Sequence, residues 1–222
     1  MHAYFTVNTI TELICFLISL YCLFNERNNF WKSFIFYLLI VYLVETSGVY
    51  LRTLKHNNSM LYTAFLVAEC AMMSLFFYHL YEKYKSKAAL TLYGWLALFM
   101  VIFTLELSEN RFAAFPYKTA AVMSVVFVFA SCYFYLLVIK DEHFRQLGSY
   151  PSFWIVNGIL FYYFGGTACN IFYDYLVHQQ ISPFGISVRY TIYNILNILL
   201  YSCWSYAFIC RYRQRNLSSS SL

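Results

Sequence analysis

Residues 33–51, SFIFYLLIVYLVETSGVYL, form an apolar run of membrane-spanning length whose single charged residue is Glu45. About 20 mainly apolar residues are enough for a helix to cross the hydrocarbon core of a bilayer. An ionised side chain at the centre of such a helix costs about 2.5–3.5 kcal/mol on insertion scales. The stretch therefore predicts a membrane helix, and Glu45 is a candidate functional residue within it.

The composition of the whole chain points the same way. Of its 222 residues, 61% are hydrophobic and only 11% are charged. A soluble domain usually has about 25% charged and about 45–50% apolar residues. The excess is largely aromatic, with 23 Phe and 23 Tyr. We therefore expect an integral membrane protein that contacts the lipid bilayer, and we interpret the net charge of +5 as interfacial anchoring rather than as a nucleic-acid footprint.

Seven apolar runs, separated by short polar stretches, are each long enough to span a membrane. They predict an all-α polytopic fold in a single domain over residues 1–210, followed by a short basic, Ser-rich tail at 211–222. The predicted spans lie near 4–24, 33–52, 61–81, 88–106, 119–139, 152–176 and 190–210.

The distribution of basic residues predicts the orientation of these helices. One set of connections, together with the tail, holds ten Lys and Arg, and the opposite set holds five. Cytoplasmic segments carry the excess of Lys and Arg. The N-terminus is therefore predicted outside and the tail in the cytoplasm.

A weak internal similarity suggests a duplication. At an offset of 128 residues, Tyr62-Thr63 falls on Tyr190-Thr191, and the basic end of helix three falls on that of helix seven. The pattern predicts a 3+1+3 parallel repeat similar to that of SWEET-type carriers. Such identities also arise by chance in a chain so rich in tyrosine, so both interpretations stay open.

Three successive helices each place one carboxyl group at a similar distance from the predicted outer boundary. At 1.5 Å rise per residue, Glu12, Glu45 and Glu69 lie roughly 10–12 Å below it. One interpretation is a site for a ligand, a proton or a cation, since ionisable residues within a membrane are functional candidates by default. The other is structural, with protonated glutamates joining helices through Tyr and Asn side chains.

Amide side chains are expected on the same side of the membrane. Asn194, Asn197 and Tyr201 share one face of helix seven, and helix six adds Asn170 and Asp174. The sharpest prediction is an outward-opening polar pocket bounded by Glu12, Glu45, Glu69, Asn194 and Asn197.

Two glycines in helix six have two interpretations. The pair Gly165–Gly166 either allows close approach of another helix or marks a kink beside a ligand.

Several chemistries lack the residues that they require. Every lysine lies in a connection or at a helix end, so a retinal Schiff base within the bundle is not expected. The sequence contains no HExxH motif, no Gly-rich phosphate loop and no GxSxG motif. We therefore predict a protein without a cofactor that is not an enzyme.

Four stretches carry a resemblance to a known family: TELICFLISLYCLF (11–24), VETSGVYL (44–51), LYTAFLVAE (61–69) and PSFWIVNGILFYYFGGT (151–167). Together they resemble a family of small bacterial seven-helix integral membrane proteins that has no assigned activity. This chain has Thr63 where the family pattern usually has Asn. The family is similar in layout to the membrane input modules of sensor kinases, which implies a regulatory role in the bacterial inner membrane.

These observations favour a sensory or regulatory membrane protein with no output domain of its own. It would bind a small ligand, proton or cation in the carboxylate pocket and signal through a cytoplasmic partner, a histidine kinase or a regulator. That partner would meet Arg211, Arg213 and Arg215, which alternatively serve as lipid anchors. The competing hypothesis is a small transporter coupled to protons or a cation.

Overall fold

The computed structural model describes residues 6–84, 86–109, 114–140, 147–172 and 188–219. Within these ranges the chain forms seven α-helices and no β-strand, which confirms the predicted all-α fold class. The helices are α1 (Val7–Leu23), α2 (Asn29–Thr53), α3 (Ser59–Lys83), α4 (Ala88–Glu109), α5 (Tyr117–Lys140), α6 (Pro151–Ile171) and α7 (Val188–Ser219). A short 3-10 helix, Leu147–Ser149, precedes α6.

Local sequence explains several helix ends. The Thr6 side chain caps α1 by accepting a hydrogen bond from the Thr9 backbone N–H at 3.2 Å, as Thr commonly does at this position. After α2, Lys55 adopts a left-handed conformation with φ 57°. The His56 N–H then bonds to the Leu51 carbonyl at 3.0 Å. This is the six-to-one bond of a Schellman motif, in which a left-handed residue ends a helix.

Five helices, α2 to α5 and α7, are long and apolar enough to cross a membrane, which indicates a membrane protein. Helix α1 is apolar but has only 17 described residues. Helix α6 is described over 21 residues and is not one of these five. The seven-span topology and its orientation therefore stay predictions.

The described helices divide between two units. Unit 1 comprises residues 1–42 and 143–222, and unit 2 comprises residues 43–142, with α2 passing from one to the other. In unit 1, α7 packs along α1 and α6; in unit 2, α3 packs against α4 and α5. This grouping joins the first helix with the last two, whereas the predicted repeat would group helices one to three and five to seven. The repeat stays a prediction.

An aromatic core holds unit 1 together. Trp204 of α7 is fully buried. The ring of Phe34 lies edge-on to it, with centroids 5.6 Å apart, and lies 5.7 Å from the ring of Phe208. Such edge-to-face pairs add to the hydrophobic gain from burial.

Helix α6 approaches α7 through small residues. A Cβ atom placed at Gly158 would meet the Leu200 carbonyl oxygen at 3.1 Å, and one at Gly165 would meet the Leu196 side chain. Helix α6 runs unbroken through Gly165–Gly166. Close helix approach, one of the two interpretations of this pair, is therefore supported at Gly165, and the kink beside a ligand stays a prediction.

Unit 2 has a core of its own. Phe77 of α3 stacks on Phe127 of α5 with centroids 6.0 Å apart. Nearby, the Tyr81 hydroxyl donates a hydrogen bond to the Ala130 carbonyl at 2.7 Å. This bond satisfies a phenol that is almost fully buried.

Helix α7 is longer than the predicted span, which ends at residue 210. It continues to Ser219, so the basic residues of the expected tail lie on a helix. The extension is held by contacts within unit 1. Tyr212 packs on Tyr21 with ring centroids 5.7 Å apart, and Gln214 donates to the Ser149 carbonyl at 2.8 Å.

Candidate functional site

Glu45 is joined to the neighbouring helix of unit 2. The Tyr62 hydroxyl of α3 donates a hydrogen bond to the Glu45 carboxylate at 3.0 Å. Gly48, one turn further along α2, lies against the Tyr62 phenol, where any Cβ atom would clash. The missing side chain of Gly48 thus makes room for the ring whose hydroxyl satisfies Glu45. This is the kind of bond that the structural interpretation of the glutamates predicts.

The same tyrosine lines an open pocket at the α2–α3 end of unit 2. The cavity has a volume of ≈ 420 Å³, within the range of about 300–1,000 Å³ that is typical of small-molecule sites. Its lining combines aromatic rings with short polar side chains: Asn57, Asn58, Ser59, Tyr62, Ala114, Phe115 and Tyr117. A small molecule in this pocket would therefore lie beside the residue that hydrogen-bonds to Glu45.

Two of the lining rings form a corner. The centroids of Phe115 and Tyr117 are 5.0 Å apart and their planes meet at 70°. The next residue, Lys118, extends into solvent and pairs with Glu109, with Nζ 3.2 Å from the carboxylate oxygen. On this side, a molecule in the pocket would therefore contact the aromatic rings of Phe115 and Tyr117 rather than the Lys118 ammonium group.

Glu106 has a structural role in unit 2. It is buried, and its carboxylate accepts hydrogen bonds from the backbone N–H groups of Lys118 and Thr119 at 2.9 and 2.7 Å. The Thr119 hydroxyl donates to it as well, at 2.6 Å. The first N–H groups of a helix have no partner within the helix, and Pro116, just before α5, has no side-chain acceptor. Glu106 of α4 therefore supplies the cap that α5 lacks.

In unit 1, the structure brings Glu12 and Tyr201 together. Glu12 is 4% exposed and Tyr201 7% exposed. The Glu12 carboxyl group lies within electrostatic range of the Tyr201 hydroxyl, as do the phenols of Tyr37 and Tyr162. Four helices thus contribute polar atoms to one cluster around the buried Tyr201, and two of its members were predicted as site residues.

The remaining predicted residues are divided between the two units or lie outside the described residues. Glu69 is partly buried on α3 in unit 2, whereas Asn194 and Asn197 are partly buried on α7 in unit 1. Asn170 belongs to α6, but its side chain and the whole of Asp174 lie outside the described residues. The pocket predicted from Glu12, Glu45, Glu69, Asn194 and Asn197 stays a prediction.

An ion pair that sequence reasoning missed lies at the other end of α7. Arg211 donates from Nε and Nη2 to the two carboxylate oxygens of Glu26, at 2.9 and 3.1 Å. Its guanidinium also lies over the Trp31 ring, 5.5 Å from the centroid. The side chain of Glu26 is only 4% exposed and that of Arg211 is 30% exposed. Arg211, predicted to meet a partner, is thus engaged within unit 1.

The environment of Glu26 favours its ionised form. Burial by itself would raise the pKa of Glu26, but the hydrogen bonds from Arg211 and from the backbone N–H groups of Asn28 and Arg27 outweigh it. The pKa of Glu26 is therefore lower than that of an ordinary glutamate.

The other two predicted partner residues differ in exposure. Arg213 is exposed on α7, whereas Arg215 is partly buried, with its guanidinium 5.3 Å from the centroid of the Tyr212 ring. Arg213 is therefore more exposed than Arg211 and Arg215.

We also looked for metal-binding groups of side chains and for similar proteins. In the described part of the chain, no group of three His, Cys, Asp or Glu side chains is arranged to hold a metal ion. Comparisons with protein families, with curated proteins and with solved structures found no significant match. The candidate site is therefore defined by its own residues.

Sequence reasoning singled out Glu45 but not its partner. Tyr62 is one of 23 tyrosines, and the repeat and the family resemblance in which it figures did not pair it with Glu45. The usable signal was Gly48, because a small residue one turn from a carboxyl group in an apolar helix leaves space for a large side chain from another helix. In the sequence, the pocket residues Asn57, Asn58 and Ser59 look like part of an ordinary polar connection between two helices.

Proposed function

We propose that this chain is a multi-pass sensory or regulatory protein of the bacterial inner membrane. In this proposal seven helices span the bilayer, with the N-terminus outside and the C-terminus in the cytoplasm. A small ligand, proton or cation acts at a site that includes Glu45, and the response passes to a separate cytoplasmic partner.

The hydrogen bond between Tyr62 and Glu45 carries this proposal. It joins α2 to α3 at 3.0 Å, and Tyr62 also lines the open pocket. A proton on Glu45, or a charged ligand beside Tyr62, changes the strength of the contact between the two helices. A ligand shifts a conformational equilibrium only when it interacts differently with the two states. A bond whose strength depends on the bound group meets that requirement.

The buried cluster of unit 1 supplies a second set of candidate groups. Glu12 and Tyr201 belong to it, and an ionisable group inside a membrane helix is a functional candidate. We include the other predicted polar residues in the proposed site on the sequence pattern alone: Glu69, Asn170, Asn194 and Asn197.

The proposed partner is a histidine kinase or a regulator that meets the basic face of α7. Arg213 is the exposed cation there, with Arg215 beside it. We expect that charge reversal at Arg213 weakens the association while leaving the helices folded. Lipid anchoring by the same residues would instead change membrane insertion.

The test of the site is the protonation of Glu45 in the full chain, reconstituted in lipid nanodiscs. Infrared difference spectra recorded across a range of pH should show a carboxylic C=O band that Glu45→Gln removes. Tyr62→Phe should shift this band, because it removes the hydrogen bond. Glu82→Gln, at an exposed carboxylate of α3, is the matched control and should leave the band in place. An unchanged spectrum in Glu45→Gln would refute the proposal.

A second experiment separates the sensor from the transporter. Solute or proton flux in proteoliposomes that contain this chain alone would favour a transporter. Stable association with a kinase and no flux would favour the sensor.

A further inference from the structure

We propose that the pocket beside Tyr62 binds a small organic cation of the quaternary or alkyl ammonium class. This inference deepens the proposed function, on which it rests for the role of the Tyr62–Glu45 pair. The cation would contact the rings of Tyr62, Phe115 and Tyr117, with the amides of Asn57 and Asn58 at the rim.

Ring geometry is the first reason. Phe115 and Tyr117 meet at 70° with centroids 5.0 Å apart, so they form a corner rather than a parallel stack. Tyr62 lines the same cavity from α3. Aromatic faces attract cations within about 6 Å of the ring centroid, and aromatic cages recognise quaternary ammonium groups. A single cation in this corner can approach more than one ring.

The sign of the nearby charge is the second reason. The Tyr62 hydroxyl donates to the Glu45 carboxyl group, so an acidic side chain lies beside this ring. The described lining residues include no Lys or Arg. Lys118, which follows Tyr117, pairs with Glu109 at 3.2 Å, and the exposed Lys55 and His56 precede Asn57 without being part of the lining. The pocket is therefore suited to positive charge.

Several N–H groups at the helix N-termini beside the pocket already have acceptors within the protein. Helix N-termini attract anions through N–H groups that lack partners. At the start of α5, the N–H groups of Lys118 and Thr119 already bond to Glu106. At the start of α3, the Ser59 N–H bonds to the Asn57 side-chain oxygen at 2.8 Å. These internal acceptors occupy three of the N–H groups that an anion would use.

The experiment compares a cation with its uncharged analogue on the full chain in lipid nanodiscs. Choline and tetramethylammonium are titrated calorimetrically, alongside the carbon isostere of choline in which a tert-butyl group replaces the trimethylammonium group. We expect choline to bind at least about tenfold more tightly than the isostere, a difference of about 1.4 kcal/mol. Equal affinities, or preferential binding of inorganic phosphate, would overturn the proposal.

Variants then assign the binding to this pocket. Phe115→Ala and Tyr117→Ala should each weaken choline binding by about tenfold, whereas Tyr117→Phe keeps the ring and should bind normally. Phe129→Ala removes a ring that is 70% exposed on α5 and away from the pocket lining, so it is the matched control. If the alanine variants bind like the control, the cation lies elsewhere and the proposal is wrong.

The two proposals can fail separately. If Glu45→Gln leaves the infrared spectrum unchanged while the original chain still binds choline, the sensory role of Glu45 is overturned but the cation site stands. A normal Glu45 response with no preference for choline over its isostere would overturn the cation site alone.

Discussion

At the scale of single residues, Glu45 is tolerated in an apolar helix because another helix provides a donor. The Tyr62 hydroxyl reaches its carboxylate at 3.0 Å. Burying a polar group without a hydrogen bond costs far more than burying one that is paired. The position of Tyr62 depends in turn on Gly48, so one glycine and one glutamate act as a unit within VETSGVY.

Gly48→Ala should therefore destabilise the protein. The added methyl group would push the Tyr62 ring away from α2 and weaken its bond to Glu45. Overpacking of this kind typically costs about 1–3 kcal/mol. The measurement is the free energy of unfolding of the detergent-solubilised chain.

The matched control is Gly94→Ala on α4. A Cβ atom there has no neighbour within 4 Å, and alanine is favoured over glycine in a helix by up to about 1 kcal/mol. Gly94→Ala should be neutral or stabilising. Equal effects of the two substitutions would contradict the role of Gly48.

At the scale of elements, a helix in this protein can depend on a side chain from its neighbour. Helix α5 begins after Pro116, and its first N–H groups bond to Glu106 of α4. Sequence reasoning placed Glu106 at the end of the fourth helix but had no basis for assigning its partner. The partner lies 12 and 13 residues away, across a connection that the local pattern does not define.

Glu106→Ala should lower the free energy of unfolding by about 1–2 kcal/mol, as the loss of an N-cap does. Exchange of the first amide hydrogens of α5 should become faster. Glu109→Ala removes only an exposed ion pair and should cost less than about 1 kcal/mol. Unchanged amide exchange at the start of α5 in Glu106→Ala would disprove the capping role.

The ion pair between Glu26 and Arg211 ties the extension of α7 to the connection before α2, and it makes stability depend on pH. Because the pKa of Glu26 is lowered in the folded chain, its contribution is complete above the ordinary glutamate pKa of about 4.3. It is lost as the pH falls through the lowered pKa. Near neutral pH, Glu26→Gln should cost about 1.5–3 kcal/mol, the range for hydrogen bonds to charged groups.

Unfolding free energies measured across acidic and neutral pH provide the check. The difference between the original chain and Glu26→Gln should shrink as the solution is acidified. Arg211→Lys keeps the charge but not the two-pronged geometry, so its cost should be intermediate at neutral pH. A difference that stays constant with pH would exclude the lowered pKa.

At the scale of the whole molecule, composition and hydropathy were sufficient for the class of protein. Each membrane helix satisfies its own backbone hydrogen bonds, so its existence depends on local length and apolarity. Five helices meet that condition, and the predicted starts and ends of most spans fall within a few residues of the observed helices. The largest difference lies where tertiary contacts extend α7 beyond residue 210, while the predicted end of the sixth span, residue 176, lies outside the described residues.

The sequence by itself determined that the chain is all-helical and apolar enough for a membrane, and it singled out Glu12, Glu45 and Glu69 as candidate carboxyl groups within predicted spans. Only the tertiary structure decided which side chains meet: Tyr62 with Glu45, Glu106 with the start of α5, and Arg211 with Glu26. The physical reason is that helix formation is local, whereas the pairing of helices depends on the fit of side chains far apart in sequence. In a chain with 23 tyrosines and 23 phenylalanines, many such pairings look alike until the helices are packed.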